Sequence, residues 1–341
     1  MYKVILDTMG GDNSPYAQVE GAVIAVNADK DLHVVLVGKE EVLNEELGKY
    51  TYNVEQISII NANDVITNDD TPTTAIKQKT ESSLVKAFDE LRTNDEIVGL
   101  VSTGSTGAVL TGGFLKIGRI KGVSRPALCP ILPTRKGGIV SICDCGANVD
   151  SKPINLVHYA IMANAYIKNV FAVENPRVAL LSVGTEDHKG NDLTKAVLHV
   201  LKEMDNINFV GNMEARDLLS GEYDLIVTDG FAGNVLLKST EGAVQTLLGM
   251  IKEEVKSRTM SKIGYLFMRK SFKNLKGKMD YNNKGGAVLL GTKKIIVKGH
   301  GSSKAKSVSV CIKQAVDMHK ADVCGIISKE INEIKVEINE E

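Results

Sequence analysis

The stretch Val101–Ala108 is built from the small and hydroxylated residues that suit a phosphate-binding turn. It follows a short apolar run, Ile97–Leu100, which is typical of a buried strand, and it precedes Val109–Ile117, which we predict to be helical. The start of a helix exposes unpaired N–H groups and the positive end of the helix dipole. Glycines let such a backbone approach a ligand closely, so the turn predicts an anion site. The predicted phosphate-binding residues are Thr103, Gly104, Ser105, Thr106 and Gly107.

The spacing of this turn matches neither of the two common nucleotide-binding fingerprints. A P-loop needs Gly-Lys-Ser/Thr at its end, and a dinucleotide-binding turn needs G-x-G-x-x-G. An ordinary strand-to-helix turn with a good cap would have the same composition. The turn alone therefore leaves a phosphate cradle and a structural turn both open.

A second stretch, Val227–Leu236, repeats the layout of Val101–Leu110. Both read V-x-x-G-x-x-G-x-V-L and both follow an apolar run, with starting points 126 residues apart (227 minus 101). The repeat indicates either an internal duplication or two turns that meet at one site. Gly and Val are common residues, so chance is the alternative.

The bulk composition excludes several functional classes. A net charge of −1 over 341 residues gives no overall electrostatic attraction to nucleic acid. No apolar run approaches the roughly 20 residues that a membrane span needs, and the first residues have a strand pattern rather than that of a signal peptide. Five cysteines without a C-x-x-C pair fit a reduced, cytoplasmic location better than a disulfide framework. We predict neither a metal nor another cofactor.

Apolar strand candidates alternate with helical patterns throughout, which predicts an α/β protein with a mostly parallel sheet in a three-layer α/β/α sandwich. We treat residues 1–341 as a single catalytic unit, with two intertwined subdomains as the alternative. Among the predicted elements, Thr74–Leu91 is one helix, and Leu128–Leu132 and Gly138–Asp144 are two strands joined by a short turn. In parallel sheets, ligands bind where loops leave the carboxyl ends of the strands.

Glycine-rich turns follow most of the predicted strands, so their polar residues are expected at one edge of the sheet. Each such residue, taken singly, has a turn or cap role as its alternative explanation. Their joint placement predicts one cleft. The residues are Asp7, Asp12, Asp144, Glu186, Lys189, Asp229, Asn234 and His300.

With these motifs in place, the sequence resembles the bacterial phosphate acyltransferases of phospholipid synthesis. The matching pieces run in order along nearly the whole chain. They are Asp7–Asp12, Ser102–Ala108, Arg125–Ala127, Asp144–Asn148, Lys189–Asn191, Asp229–Asn234, Lys278–Tyr281 and His300–Ser303. Thr103, Ser105, Cys145 and Thr185 depart from the residues usual in the family.

The resemblance implies a homodimer whose fold is similar to that of phosphotransacetylases and the isocitrate dehydrogenase group. It also implies transfer of an acyl group from acyl carrier protein to inorganic phosphate, giving an acyl phosphate. In that reaction Lys189 would place positive charge at the reacting centre, and His300 would protonate the leaving sulfur. Asp229 and Asn234 would orient His300 or the phosphate, and no serine or cysteine nucleophile is required.

Three other functions stay open from the sequence. A phosphotransacetylase would use coenzyme A thioesters instead of acyl carrier protein. A metal- and NAD-dependent decarboxylating dehydrogenase is favoured only by analogy of fold, and its dinucleotide fingerprint is missing. A non-enzymatic module would bind the carrier protein without making acyl phosphate.

Residues 256–279 form a basic and apolar segment that we expect to protrude. Eight cations occur there without an intervening Asp or Glu, and Gly264 and Gly277 favour a broken helix or a helix–loop–helix. Cations mixed with large apolar residues are typical of contact with anionic lipid. The predicted membrane contacts are Ile263, Leu266, Phe267, Arg269 and Lys270. A hairpin that packs in the dimer and a docking patch for the acidic carrier protein are the alternatives.

The product of the implied reaction is lipid-like and is consumed at the membrane. We therefore expect a cytoplasmic protein that is partly membrane-associated. The downstream membrane acyltransferase is a further expected partner, and nucleic acid is not.

Overall fold

The computed structural model describes residues 1–279 and 284–333. Within them, the strands are β1 (Tyr2–Asp7), β2 (Leu32–Gly38), β3 (Ile57–Asn61), β4 (Ile97–Ser102), β5 (Ala127–Cys129), β6 (Ile131–Pro133), β7 (Ile139–Cys143), β8 (Val178–Ser182), β9 (Phe209–Glu214), β10 (Leu225–Val227), β11 (Ala287–Leu290) and β12 (Ile295–Lys298). Of the matched motif Lys278–Tyr281, Asp280 and Tyr281 lie outside the described residues.

The helices of the same residues begin and end as follows. They are α1 (Tyr16–Ala28), α2 (Glu40–Leu47), α3 (Pro72–Gln78), α4 (Ser83–Thr93), α5 (Thr106–Gly112), α6 (Pro153–Val170), α7 (Asp192–Lys202), α8 (Gly230–Ser257), α9 (Thr259–Met279), α10 (Ala305–Lys320) and α11 (Val323–Glu333). None of these described helices combines the length and apolar character that crossing a bilayer requires.

The strands are divided between two sheets. The first has the order β3-β2-β1-β4-β12-β11-β5, and the second has the order β6-β7-β10-β8-β9. Neighbouring strands are parallel except where β11 pairs with β12 and β5, and where β6 pairs with β7. The predicted mostly parallel α/β architecture is confirmed, and its strands form two sheets.

Helices cover both faces of the first sheet because the residues of its strands alternate between two cores. Val4 and Leu6 of β1 lie in the core with α1 and α10, whereas Ile5 lies in the core with α4 and α5. The central helix α6 belongs to a core that receives residues from both sheets. Every residue from Asn155 to Ile167 on α6 is buried, which explains why its sequence lacks a clear polar face.

The chain passes from one sheet to the other at Pro130, which separates β5 of the first sheet from β6 of the second. The prediction of one strand over Leu128–Leu132 is therefore wrong, since its two halves pair in different sheets. The chain returns to the first sheet at β11. This path places residues of both sheets in one core. The single catalytic unit, with two intertwined subdomains as its alternative, stays a prediction.

The single helix predicted over Thr74–Leu91 is instead two helices, α3 and α4. The loop after β3 interrupts it, because the Asp64 N–H donates to the Glu81 carbonyl and the Ser83 N–H donates to the Asp64 carbonyl. These bonds draw the segment between the helices toward Asp64. As a result Ser83 begins α4 next to the end of β1.

The segment 256–279 contains a broken helix, as predicted, but the break is at neither glycine. Helix α9 continues through Gly264, and the break lies at Arg258, where the backbone is extended with φ −125° and ψ 138°. The buried residues of α8 end at Leu237, so the remainder of α8 and the helix α9 that packs against it are largely exposed. We call residues 238–279 the helical hairpin.

Asp144 joins the two sheets through its buried carboxylate. Its Oδ1 accepts from the N–H of Leu128 in β5 at 2.8 Å, and from Cys145 and Ala147 at 2.7 and 3.2 Å. Its Oδ2 accepts from the backbone and side-chain N–H groups of Asn148 at 2.7 and 3.0 Å. Burial raises the pKa of Asp144, and these donors act in the opposite direction. The carboxylate thus holds the strand crossing and the loop after β7 in place.

We predict that Asp144→Ala lowers the free energy of unfolding by about 3 kcal/mol or more, because it leaves several buried N–H groups without an acceptor. Urea denaturation followed by circular dichroism measures the change. The control is Asp205→Ala at an exposed position. Equal stabilities for the two variants would contradict the structural role of Asp144.

Candidate active site

The carboxyl ends of three adjacent parallel strands form the floor of the site. In their registers Asp7 of β1 pairs with Ser102 of β4, and Ser102 pairs with Lys298 of β12. Three residues side by side across the sheet therefore carry a carboxylate, a hydroxyl and an ammonium group, and we call them the row Asp7–Ser102–Lys298. The loops that follow these strands form the wall above it.

Asp7 supports the predicted phosphate turn from below. The Ser83 hydroxyl donates to its Oδ1 at 2.6 Å, and the Ser102 hydroxyl donates to its Oδ2 at 2.7 Å. The oxygen of that Ser102 hydroxyl accepts from the Gly104 N–H at 3.1 Å, so the turn is tied to the carboxylate through one side chain. Burial raises the pKa of Asp7, whereas the two serine hydroxyls and the Met9 N–H lower it.

The turn after β1 packs directly against the turn of residues 103–107, the predicted phosphate turn. A Cβ atom at Gly10 would lie 2.6 Å from the Gly104 Cα, so only glycine fits there. The Thr103 hydroxyl donates to the Gly10 carbonyl at 2.6 Å and accepts from Gln18 Nε2 at 2.8 Å. Thr103 is therefore bonded within the fold. Ser105 precedes α5 at the cap position, but its hydroxyl does not cap the helix, so the simple capping explanation of this turn fails.

Two clefts open beside this turn. The larger has a volume of about 430 Å³ and lies between the loops of the two sheets, with Thr106, Gly107 and His300 on one side and Asn234 on the other. Its apolar wall comprises Leu110, Leu128, Ile131, Leu132 and Leu237. The smaller, polar cleft has a volume of about 310 Å³ and is lined by Asp12, Thr67, Asn68 and residues 103–106. Lys298 lines both clefts.

The two V-x-x-G-x-x-G-x-V-L turns meet at the larger cleft, one from each sheet. Thr106 and Gly107 follow β4, and Asn234 lies in the first turns of α8 after β10. Close packing fixes the second turn, since a Cβ at Gly233 would lie 2.0 Å from the Asp144 carbonyl oxygen. The repeat therefore corresponds to two like strand–turn–helix units facing one space.

His300 is held in a defined tautomer by its own loop. Its Nδ1 accepts from the Ser302 N–H at 3.2 Å and lies 2.8 Å from the Ser302 hydroxyl oxygen. An acceptor at Nδ1 leaves the ring proton on Nε2. Burial, and then the charge of Lys238, lower the pKa of His300. The neutral imidazole is thus the form present near pH 7, and it is a hydrogen-bond donor rather than a strong acid.

The structure brings together only part of the predicted set. Asn234 and His300 line the larger cleft, and Asp12 lines the polar one. Asp7 and Asp144 lie beneath the loops and bond to them. Asp229 caps α8, because its Oδ1 accepts from the Ala232 N–H at 2.9 Å, and it lines neither cleft. Lys189 and Glu186 are exposed on the loop after β8 and also line neither cleft.

The expectation of one cleft for all eight residues is therefore wrong, because only Asn234 and His300 line the larger cleft and the others lie beneath the loops, cap a helix, line the polar cleft or are exposed. The catalytic roles of Lys189 and Asp229 stay predictions. Within the described ranges, no three side chains of metal-ligating type are grouped so as to hold a metal ion.

Comparison with known proteins identifies the family of the chain. The sequence profile of a family described as "Fatty acid synthesis protein" matches residues 2–326. The phosphate acyltransferase of Clostridium perfringens is 48% identical over 329 residues, which cover 96% of each chain. That of Bacillus subtilis is 43% identical over 335 residues, covering 98% of this chain and 99% of its own. The chain belongs to the phosphate acyltransferase family.

Solved structures of more distant proteins share the fold of this family member. A branched-chain phosphotransacylase from Enterococcus faecalis superposes with a TM-score of 0.59 at 15% identity, covering 94% of this chain and 99% of that chain. A phosphotransacetylase from Streptococcus pyogenes gives 0.57 at 17% identity, covering 93% and 94%. The predicted similarity to phosphotransacetylases in fold is confirmed.

Sequence reasoning missed three charged residues that line the larger cleft of this acyltransferase: Lys238, Glu241 and Lys298. Lys298 had a usable signal, because it ends the apolar run Ile295–Val297 directly before a glycine-rich turn. Lys238 and Glu241 lie three residues apart on α8 and form an ion pair of 2.7 Å. Oppositely charged residues with this separation are ordinary on exposed helices, so they gave no signal of a site.

We predict that Gly10→Ala lowers kcat/KM of the acyltransferase roughly 10²-fold, because the added methyl group must push the phosphate turn away from Gly104. The matched control is Gly242→Ala on α8, where a Cβ meets nothing within 4 Å. Steady-state kinetics with both substrates measures the effect, and thermal unfolding checks that both variants fold. Wild-type kcat/KM in a folded Gly10→Ala variant would contradict the close packing.

Proposed function

We propose that the protein transfers the acyl group of an acyl-(acyl carrier protein) thioester to inorganic phosphate, forming an acyl phosphate in phospholipid synthesis. One observation carries the proposal. The phosphate turn, at Thr106 and Gly107, opens into the same cleft as a wall of leucine and isoleucine side chains. A phosphate and the carbonyl end of an acyl chain would meet there, with the chain against the apolar wall. Family membership supports the reaction.

The chemistry requires a held nucleophile and stabilised negative charge. A phosphate oxygen attacks the thioester carbonyl carbon, the carbonyl oxygen becomes an oxyanion, and the C–S bond then breaks to release the thiol of the carrier protein. In the proposal the backbone N–H groups of residues 105–107 and the hydroxyls of Ser105 and Thr106 hold the phosphate. Asn234 donates from its side-chain amide to phosphate or carbonyl oxygen across the cleft.

The tautomer of His300 revises the role expected from sequence. A neutral imidazole with its proton on Nε2 is suited to donate a hydrogen bond to the oxyanion. Protonation of the leaving sulfur is less important, because a thiol with a pKa of about 8.5 leaves readily as thiolate. In this proposal His300 therefore stabilises the oxyanion, and the thiolate takes its proton from solvent.

The reaction is tested by mixing the purified protein, acyl-(acyl carrier protein) and phosphate, and trapping the product with hydroxylamine. We expect the rate of acyl hydroxamate formation to exceed the background of direct thioester cleavage only when protein, thioester and phosphate are all present. A control without phosphate reports direct attack of hydroxylamine on the thioester.

Different results would favour the other functions. A faster reaction with acyl-coenzyme A would identify a phosphotransacetylase, and binding of carrier protein without any hydroxamate would identify a binding module. NADH formation from a hydroxy acid and a divalent metal would identify a dehydrogenase.

We also propose that the protein is a cytoplasmic homodimer whose helical hairpin contacts anionic membrane. Ile263, Leu266, Phe267, Arg269 and Lys270 are all exposed, with Phe267 at 86% and Leu266 at 68% of full exposure. Exposed apolar residues alternating with cations suit a helix lying at a lipid surface. Leu247 and Met250 of α8 are exposed as well, and a second copy of the chain would cover them.

We predict that Leu266→Glu combined with Phe267→Glu abolishes co-sedimentation with phosphatidylglycerol vesicles, because it places two carboxylates where apolar side chains would enter the lipid. Val54→Glu is the control, since Val54 is equally exposed elsewhere, at 72%. Equal pelleting of the double variant and wild type would exclude the hairpin as anchor. Loss of carrier-protein binding or of dimerisation in the double variant would assign the hairpin to that partner instead.

A further inference from the structure

Lys298 is a buried cation at the junction of the two clefts. It ends β12 after three apolar residues, and only 7% of it is exposed. A buried lysine is rare unless its charge meets an opposite charge. Of the three residues in the row Asp7–Ser102–Lys298, Lys298 is the one that lines both the larger cleft and the polar cleft. Its position is therefore costly for the fold and central to the site.

The contacts of its ammonium group are with neutral carbonyl groups. Nζ donates to the Thr103 carbonyl oxygen at 3.4 Å and also to the Gly299 carbonyl oxygen. In residues 1–279 and 284–333 it forms no ion pair with a carboxylate. Asp7, at the other end of the row, accepts hydrogen bonds from Ser83 and Ser102 on its two oxygens. The positive charge of Lys298 thus faces the clefts without a compensating carboxylate in contact.

We propose that Lys298 binds the reacting phosphate where the two clefts meet, and so presents a phosphate oxygen from the polar cleft to the thioester carbonyl in the larger one. This inference rests on the proposed acyl transfer to phosphate. It adds the cation that the phosphate turn itself lacks, since Gly104–Gly107 contains only neutral donors. In a P-loop the corresponding lysine belongs to the loop, whereas here it comes from a neighbouring strand.

The other cations near the site are less suited to this role. Lys238 lines the larger cleft only, and its charge is paired with Glu241 at 2.7 Å. Lys189 is exposed and lines neither cleft. A phosphate dianion at Lys298 would receive both the ammonium charge and the donors of Ser105 and Thr106, which line the same polar cleft.

Burial lowers the pKa of Lys298 to about 8. The ionisable groups that interact with it come from several elements: Asp7 of β1, Asp12 of the following loop, Lys238 of α8, His300 of the loop after β12 and Cys311 of α10. Lys298 is charged below this pKa and becomes neutral above it. Phosphate binding is therefore strong below about pH 8 and weakens as the pH rises through that value.

The test compares Lys298→Met, Lys298→Arg and a matched control, Lys294→Met, whose lysine precedes the same strand and pairs with Asp95 away from the clefts. We expect Lys298→Met to raise the KM for phosphate about 10- to 100-fold, the range for loss of a charged hydrogen bond, with little change in the KM for the acyl carrier protein thioester. Lys294→Met is expected to match wild type. Circular dichroism and thermal unfolding establish that each variant folds.

The pH profile separates phosphate binding from a merely structural role. In wild type the KM for phosphate should rise above about pH 8, following the pKa of Lys298. In Lys298→Arg the guanidinium stays charged, so that alkaline rise should disappear while activity is partly retained. If Lys298→Met fails to fold, this profile decides the question.

Failure of the proposed reaction and failure of the Lys298 inference give different results. Wild type that forms no acyl hydroxamate overturns the proposed reaction. Equilibrium dialysis with radiolabelled inorganic phosphate then tests Lys298 directly, and equal binding by wild type and Lys298→Met overturns its role. Wild type that forms acyl hydroxamate, together with a folded Lys298→Met variant whose KM for phosphate is unchanged, overturns the Lys298 inference alone.

Discussion

The buried carboxylate of Asp7 receives hydroxyl groups from two separate parts of the chain, Ser83 at the start of α4 and Ser102 at the end of β4. Because Ser102 in turn accepts the Gly104 N–H, the position of the turn at residues 103–107 is set by a group on a different strand. Burying a charge without such partners is strongly unfavourable, which forces these elements to meet. The interruption between α3 and α4, which hydrogen bonds to Asp64 hold in place, brings Ser83 to this carboxylate.

Asp144 serves the second sheet in a comparable way. Its carboxylate accepts from the loop that follows its own strand and from Leu128 in the first sheet. The first turn of α8 packs on the same loop through Gly230 and Gly233, whose missing side chains allow the approach. Two buried aspartates at strand ends therefore fix the two turns that face the larger cleft. One aspartate also fixes the distance between the sheets at that point.

The sequence predicted the features that depend on local pattern. Apolar runs located most of the described strands, and of the explanations left open for the repeated turn, two turns that meet at one site fits Thr106, Gly107 and Asn234. Features set by distant contacts were missed. The change of sheet at Pro130 depends on which strand each half pairs with, and the interruption near Lys79 depends on hydrogen bonds to Asp64. Gly264 favoured a break in the helix from sequence alone. A single glycine lowers helix stability by only about 1 kcal/mol relative to alanine, so α9 continues through it.

Among the site residues, too, those marked by a local sequence pattern were predicted and those placed by distant contacts were missed. His300 and Asn234 were found because they occur in glycine-rich turns after strands. Lys298 was passed over because a lysine at a strand end is usually exposed, and only the packing of α10 and of the loop after β1 shows that it is buried. Lys189 and Asp229 belong to turns of the same type, yet those turns place them away from both clefts. Sequence pattern identifies the edge of a sheet, while side-chain direction at that edge depends on the tertiary fold.

Helix α8 connects the cleft to the helical hairpin within one continuous element. Asn234 and Leu237 line the cleft, and the helix ends at Ser257, about 35 Å from Asn234 at 1.5 Å per residue. If α9 lies on a membrane as proposed, the rigid helix fixes where the cleft stands relative to the lipid. An acyl phosphate leaving the cleft exposes its chain to water at a cost of roughly 0.8 kcal/mol per CH₂. Release close to a bilayer would avoid most of that cost, so the same helix would join the chemistry to the place where its product is stable.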